Sequence, residues 1–209
     1  YVAPATLAIA SAVLLATGYA LLVGGIDRLG YAIAPALVAP GNRHVIALEP
    51  EFILPQDGAK KQDCEQQAAK RWVRRNASRF KAHEVTILAD DLHSKQPFCE
   101  ELLEHQMHFV MTCKPDSHPT LYEEVDLLSR IDGLSEFTLR QWTGRYTEVW
   151  QCRYTNQVPL RDSLDTLRVN WCEVIIYRED TGKRIYKNAF VTSHALSDET
   201  LIPIITAGR

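Results

Sequence analysis

The stretch VTILADDLHSKQPFC, residues 85–99, decides how the rest of the chain is read. A short apolar run ends in two adjacent aspartates, Asp90 and Asp91, and a helix start follows at Pro97. Apolar runs of this length are strands buried on both faces, as in parallel sheets. Proline suits the first helical turn, where its missing N–H costs nothing. Ligand sites in open α/β sheets lie beyond the carboxyl ends of such strands. A carboxylate there is placed to hold a divalent cation beside a phosphate, so Asp90 and Asp91 are the first candidate site residues. Neighbours on a strand point to opposite faces, so the two are not expected to share one ion. The competing account is an ordinary polar strand end or helix entry.

Working outward, residues 108–113 read as a second strand and residues 117–128 as a helix with Pro119 near its start. Upstream, Asp57-Gly58 opens a helix running to about Phe80, with Cys64, Ala68 and Trp72, and Ala69 and Val73, at the spacing of a one-sided apolar stripe. Asp57 is expected to be its N-cap. Residues 31–52 read as extended chain broken by a turn at Pro40-Gly41-Asn42, with a short strand over 45–48. The alternation of strands and helices predicts an α/β core. After Gly133 the pattern changes to strands over 137–142, 146–154, 167–178 and 184–192, and residues 198–209 begin a helix with Leu201, Ile204 and Ile205 on one side.

The basic residues are concentrated. The whole chain of 209 residues has a formal net charge of −3, whereas residues 60–81 hold eight Lys or Arg against Asp63 and Glu65. Lys70, Arg71, Arg74 and Arg75 form the centre of this face, which is either a phosphate-contacting surface or a solvated helix face whose cations suit the C-terminal dipole. Neutralising six phosphates would weaken DNA affinity about a thousandfold between 50 and 200 mM salt.

Residues 1–26 contain no charged side chain. As one helix they would extend about 39 Å, enough to cross a bilayer of about 30 Å. They read as a membrane anchor, as a buried apolar segment, or as an out-of-frame leader. The five cysteines form no CxxC pair, which points to neither a zinc ribbon nor a disulfide framework and favours reduced thiols in a cytoplasmic protein. Cys99, near a helix start, is a candidate for a lowered thiol pKa or for a small buried apolar role. The seven histidines show no metal-binding spacing, and His93 reads as a surface residue or as lining the aspartate cleft. No GxSxG elbow or phosphate-binding glycine loop is present.

Four stretches taken together resemble a known family. QDGAKKQDCEQQAAKRW (residues 56–72), VTILADDLHSKQPFC (85–99), FVMTCKPDSHPTLYE (109–123) and FVTSHALSDETLIPIITAGR (190–209) are similar to DDE-type transposases of bacterial insertion sequences, in the branch whose RNase H-like domain is interrupted by a β-rich insertion. The resemblance covers about residues 39–209. It implies a partial RNase H-like core with the insertion at about 134–192, preceded by the apolar segment 1–38. It also implies DNA as partner, action as oligomers on element ends, and three carboxylates holding two Mg²⁺ or Mn²⁺ ions for in-line attack on phosphodiesters. Asp90 matches the family's second aspartate and Asp91 a variable neighbour, so Asp90 is the expected metal ligand. The first aspartate would lie on an earlier strand, where this chain has its uncharged leader, and the glutamate on the helix just beyond the AGR ending. With one ligand of three, and with ends at Tyr1 and Arg209 that read as cut, the chain is expected to be an inactive fragment with an exposed sheet edge where the first strand is missing.

Overall fold

A computed structural model describes residues 8–10, 31–38, 45–53, 65–80 and 85–209. In chain order the elements are β1 (Ala8–Ala10), β2 (Tyr31–Ile33), β3 (Ala36–Val38), β4 (Ile46–Ala47), β5 (Glu51–Ile53), α1 (Glu65–Phe80), β6 (Thr86–Ala89), α2 (Gln96–Glu104), β7 (His108–Thr112), a 3₁₀ turn (Pro115–Ser117), α3 (Pro119–Arg130), β8 (Ser135–Trp142), β9 (Thr147–Pro159), β10 (Arg168–Arg178), β11 (Arg184–Thr192) and α4 (Asp198–Gly208). The turn at residues 40–42, the N-cap at Asp57 and the helical start over 57–64 lie outside the described residues.

Nine strands form one mixed sheet in the order β4-β3-β1-β6-β7-β11-β10-β9-β8, and β2 pairs with β5 separately. β6 lies parallel to β1 on one side and to β7 on the other, whereas the remaining pairs are antiparallel. The protein is therefore α/β with a mixed sheet. The β-rich section extends the same sheet, because β11 pairs with β7 through Phe190↔Thr112, Val191↔Met111 and Thr192↔Val110.

Period-two alternation places the two cores. Ile87, Phe109, Met111, Trp171 and Val191 face α1, α2 and α3, packing with Ala68, Trp72, Val73, Phe98, Leu102, Leu121 and Val125. Leu88, Val110, Cys172, Val174, Ile176 and Phe190 face the other way, onto Leu201, Ile204 and Ile205 of α4. α4 starts at a capping box in which the Ser197 hydroxyl accepts the Thr200 N–H and the Thr200 hydroxyl accepts the Ser197 N–H.

Two expectations are corrected at the N-terminus. Ala8–Ala10 form a strand, so one continuous helix through residues 1–26 does not exist, and no helix among the described residues is long and apolar enough to cross a membrane. The rest of that segment lies outside the described residues. Nor is the sheet open beside β6, because β1 fills that position in the register Ala8↔Thr86, Ile9↔Ile87, Ala10↔Leu88. A three-residue apolar run carries too little periodicity to distinguish strand from helix, and only its partners identify it.

Candidate functional site

Asp90 is the first residue beyond β6, at the carboxyl end of a strand flanked on both sides by parallel neighbours. The chain turns there, with the His93 N–H donating to the Asp90 carbonyl at 3.2 Å. Asp90 Oδ1 accepts the Leu92 N–H at 3.0 Å and lies 3.0 Å from His93 Nδ1. The carboxylate remains 53% exposed, while the His93 side chain is 2% exposed. His93 is thus a buried partner of Asp90 and not a surface residue.

Asp91 has a different environment. Its Oδ1 accepts the Lys114 N–H at 2.8 Å, and its Oδ2 accepts the Ser117 hydroxyl. His118 Nε2 lies 3.7 Å from Asp91 Oδ1 and 2.7 Å from Ser94 Oγ, and Lys95 Nζ donates to the Ser117 carbonyl at 2.8 Å. Burial, assisted by the nearby Lys95 charge, pushes the His118 imidazole below its ordinary range. This network fastens the turn after β6 to the 114–118 loop. Gln96 adds a clasp on the β9–β10 connection, donating to the Asp165 carbonyl at 2.7 Å and accepting the Leu167 N–H at 2.9 Å.

Beside Asp90 and His93 lies a small cavity of about 20 Å³ lined by Ile33, Pro35, Ala69, Trp72, Val73, Ile87, Ala89, His93 and Phe98. His93 is one of the lining residues, and its Nε2 is buried with no hydrogen-bond partner among the described residues.

Four cations of α1, Lys70, Arg71, Arg74 and Arg75, are paired with carboxylates. Arg74 forms a two-pronged contact with Glu101 at 2.6 and 2.6 Å, and Lys70 approaches the same carboxylate at 3.9 Å. Arg71 reaches Glu51 at 2.9 Å and the Phe52 carbonyl at 2.9 Å; Arg75 pairs with Glu51 and lies 3.7 Å from Glu49. The Arg74 hydrogen bond holds the Glu101 carboxyl below the usual carboxylate range, and Glu101 in turn raises Arg74. Lys60, Lys61 and Lys81 lie outside the described residues. The local sequence count found Asp63 and Glu65 as the opposing charges. The carboxylates that balance the described part of this face come from β5, the residues before it, and α2.

Cys99 is fully buried, and its thiol is pushed up to about 12 by burial. The alternative of a lowered pKa at this helix start is overturned, and the buried apolar role stands. Among the described residues, no group of three or more His, Cys, Asp and Glu side chains could hold a metal ion.

Sequence reasoning missed the burial of His93, the Ser94–His118 contact and the roles of Glu51 and Glu101. Only the first has a local signal: an aspartate and a histidine three positions apart in a tight turn can bond to each other. No protein-family model matches the chain, and no curated protein is significantly similar to it.

Proposed function

We propose that this chain is part of the catalytic domain of a DDE-type transposase with an RNase H-like core, whose work is metal-dependent DNA cleavage and strand transfer at element ends by an oligomer. One observation carries the reading: a half-exposed carboxylate, Asp90, stands immediately beyond a central strand that has parallel neighbours on both sides. That is where α/β sheets place their reacting groups. The arrangement also suits the resemblance, which puts an aspartate-bearing strand upstream of this one, and β1 is an upstream strand paired with β6.

Asp90 supplies a hard oxygen donor of the kind Mg²⁺ and Mn²⁺ prefer. The described residues do not fit a two-ion centre, however. Both Asp91 oxygens are engaged by Lys114 and Ser117, β1 reads Ala-Ile-Ala, and no second carboxylate joins Asp90. This chain by itself is therefore proposed to be inactive in transposition, with DNA contacted through Lys70, Arg71, Arg74 and Arg75 only in competition with Glu49, Glu51 and Glu101.

The test is nicking of supercoiled plasmid with Mg²⁺. The chain alone should show none. A chimera that replaces β1 with a strand bearing an aspartate and supplies a downstream helix bearing a glutamate, both taken from an intact DDE transposase, should nick, and Asp90→Asn should abolish this. Cleavage by the chimera that is indifferent to Asp90→Asn would refute the proposal.

A further inference from the structure

We infer that the outer edge of β8 is a self-pairing surface: two copies of this chain join edge to edge, antiparallel, about a two-fold axis at Thr138, with Glu136 of each copy opposite the partner's Arg140. The inference goes beyond the function proposed above and does not depend on it.

The backbone supplies the first half of the argument. β8 ends the nine-stranded sheet, and its one neighbour among the described residues is β9. Their ladder runs from Ser135↔Tyr154 to Trp142↔Thr147 without a shift of register. At the hairpin end the Thr143 N–H donates to the Tyr146 carbonyl at 3.0 Å. Bonded and unbonded pairs alternate along an antiparallel ladder, so Phe137, Leu139 and Gln141 direct their N–H and C=O groups to β9. Glu136, Thr138 and Arg140 direct theirs outward. Proteins protect such an edge with proline, a bulge, a covering element or charge. β8 has no proline and no bulge, and most of its side chains are exposed. Charge is the device that remains, and its pattern here is self-complementary.

The side chains fix the register. Bonding across the outer edge must join even-numbered residues to even-numbered ones, because only these present N–H and C=O groups there. An axis at Thr138 sets Glu136 opposite the partner's Arg140, and two-fold symmetry repeats the pair. An axis at residue 137 would set Glu136 opposite the partner's Thr138, and one at 139 opposite the partner's Trp142. Axes at 136 or 140 would oppose like charges, which is unfavourable. The Thr138 register alone matches both charges. Glu136 forms no ion pair among the described residues. Arg140 uses Nε on Glu179 at 2.8 Å, and its guanidinium keeps further N–H groups for a second carboxylate. The same register continues the apolar row of the sheet. Phe137 and Leu139, half-buried against the α4-side core, fall opposite the partner's Leu139 and the partner's Phe137. Trp142, 65% exposed, falls opposite the partner's Leu134.

Sedimentation velocity of the full chain from about 1 to 200 µM, a range that brackets a micromolar Kd, should show a monomer–dimer equilibrium. Glu136→Arg and Arg140→Glu each oppose like charges twice, and each should weaken the dimer about tenfold or more. The double exchange Glu136→Arg with Arg140→Glu restores the complementary pairs and should return the Kd to within about threefold of wild type. An equimolar mixture of the two single variants should form a mixed dimer, because each then carries the charge the other needs. Thr138→Pro removes an outward N–H without touching the β9 ladder and should leave a folded monomer; if it does not fold, the charge exchanges decide. A chain that stays monomeric throughout, its edge free for some other strand, overturns the inference. So does a dimer whose Kd the single exchanges leave unchanged, or single variants that fail to rescue each other on mixing.

Discussion

Replacing Glu101 with glutamine decides whether the basic face of α1 is a DNA surface or a set of internal ion pairs. Glu101 is 7% exposed and receives both prongs of Arg74 at 2.6 Å, with Lys70 at 3.9 Å and His105 at 3.3 Å. Within α1 the cations are Lys70, Arg71, Arg74, Arg75 and Arg79 against Glu65, and Glu49, Glu51 and Glu101 from outside bring the local excess down to a single positive charge. A DNA phosphate approaching this face must displace a carboxylate held at hydrogen-bond distance. Glutamine has nearly the same shape and its amide oxygen still accepts one Arg74 N–H, but Lys70 and Arg74 lose their counter-charge.

The magnitude follows from counter-ion release. Each phosphate contact steepens the fall of log K with log salt by about 0.9, so the one positive charge that the substitution uncovers steepens it by about 0.9, an additional loss of about three- to fourfold between 50 and 200 mM salt. Fluorescence anisotropy of a labelled duplex across that salt range reads the slope, with a thermal melt confirming that Glu101→Gln is folded. The wild type should show a shallow slope and the variant the steeper one. A wild-type slope of about −4 or beyond that Glu101→Gln leaves unchanged would refute the reasoning, because phosphates would then already outcompete the carboxylates. Neutral pH is the right condition. Because the folded carboxyl of Glu101 lies below its ordinary value, the ion pair contributes fully above that value and is lost only as pH falls through the lowered one.

Acid should weaken the fold through His194, which lies 2.9 Å from Thr86 Oγ1, stacks on His108 with centroids 4.2 Å apart, and is pushed down to about 4, first by burial and then by His108. The unfolded chain takes up this proton near 6.5 and the folded one only near 4, so stability should fall as pH drops between those values, by at most about 3 kcal/mol, and stay flat above them. Urea titrations at several pH values should show this slope reduced in His194→Gln, and an unchanged slope would sink the assignment. Thiol labelling should spare Cys99, Cys113, Cys152 and Cys172 in the native protein, since burial raises each of them, Cys99 to about 12 and Cys152 to about 11; rapid native labelling of any of the four, read by mass spectrometry, would contradict their packing. Gly208→Ala should destabilise by about 1–3 kcal/mol, because a Cβ there would meet the buried Phe190 ring at 2.7 Å; an unchanged melting temperature would mean that the ring moves aside freely.

The unit from β6 to β7 and the four long strands after Gly133 were legible because their signals are local. Apolar runs, Pro97 inside a helix start, and turn residues between alternating segments all act over a few positions. The α1 stripe was equally readable, and Ala68, Ala69, Trp72 and Val73 are indeed buried. What could not be read depends on partners far along the chain. Arg71 meets a carboxylate 20 positions away and Arg74 one 27 positions away, so a local charge count returned an uncompensated basic face. The strand Ala8–Ala10 shows the same limit, since its apolar residues fit a membrane helix equally well until β3 and β6 provide its ladder.

The adjacent aspartates carry the argument furthest, because one residue type at consecutive positions meets two fates. The turn that follows β6 presents the two side chains to different donors. On one side the 114–118 loop presents an N–H and a hydroxyl, and Asp91 is consumed in holding that loop. On the other side the donors, from Leu92 and His93, converge on Oδ1, and Oδ2 of Asp90 has no hydrogen-bond partner among the described residues. The structural carboxylate and the available one are thus told apart by the donors each meets. Exchanging the two residue types one at a time separates these roles. Asp91→Asn should loosen the 114–118 loop, seen as faster amide exchange at Lys114, while leaving exchange of the Leu92 amide, which Asp90 Oδ1 holds, unchanged. Asp90→Asn should do the reverse, and the same response from both variants would show that the two carboxylates act as one unit.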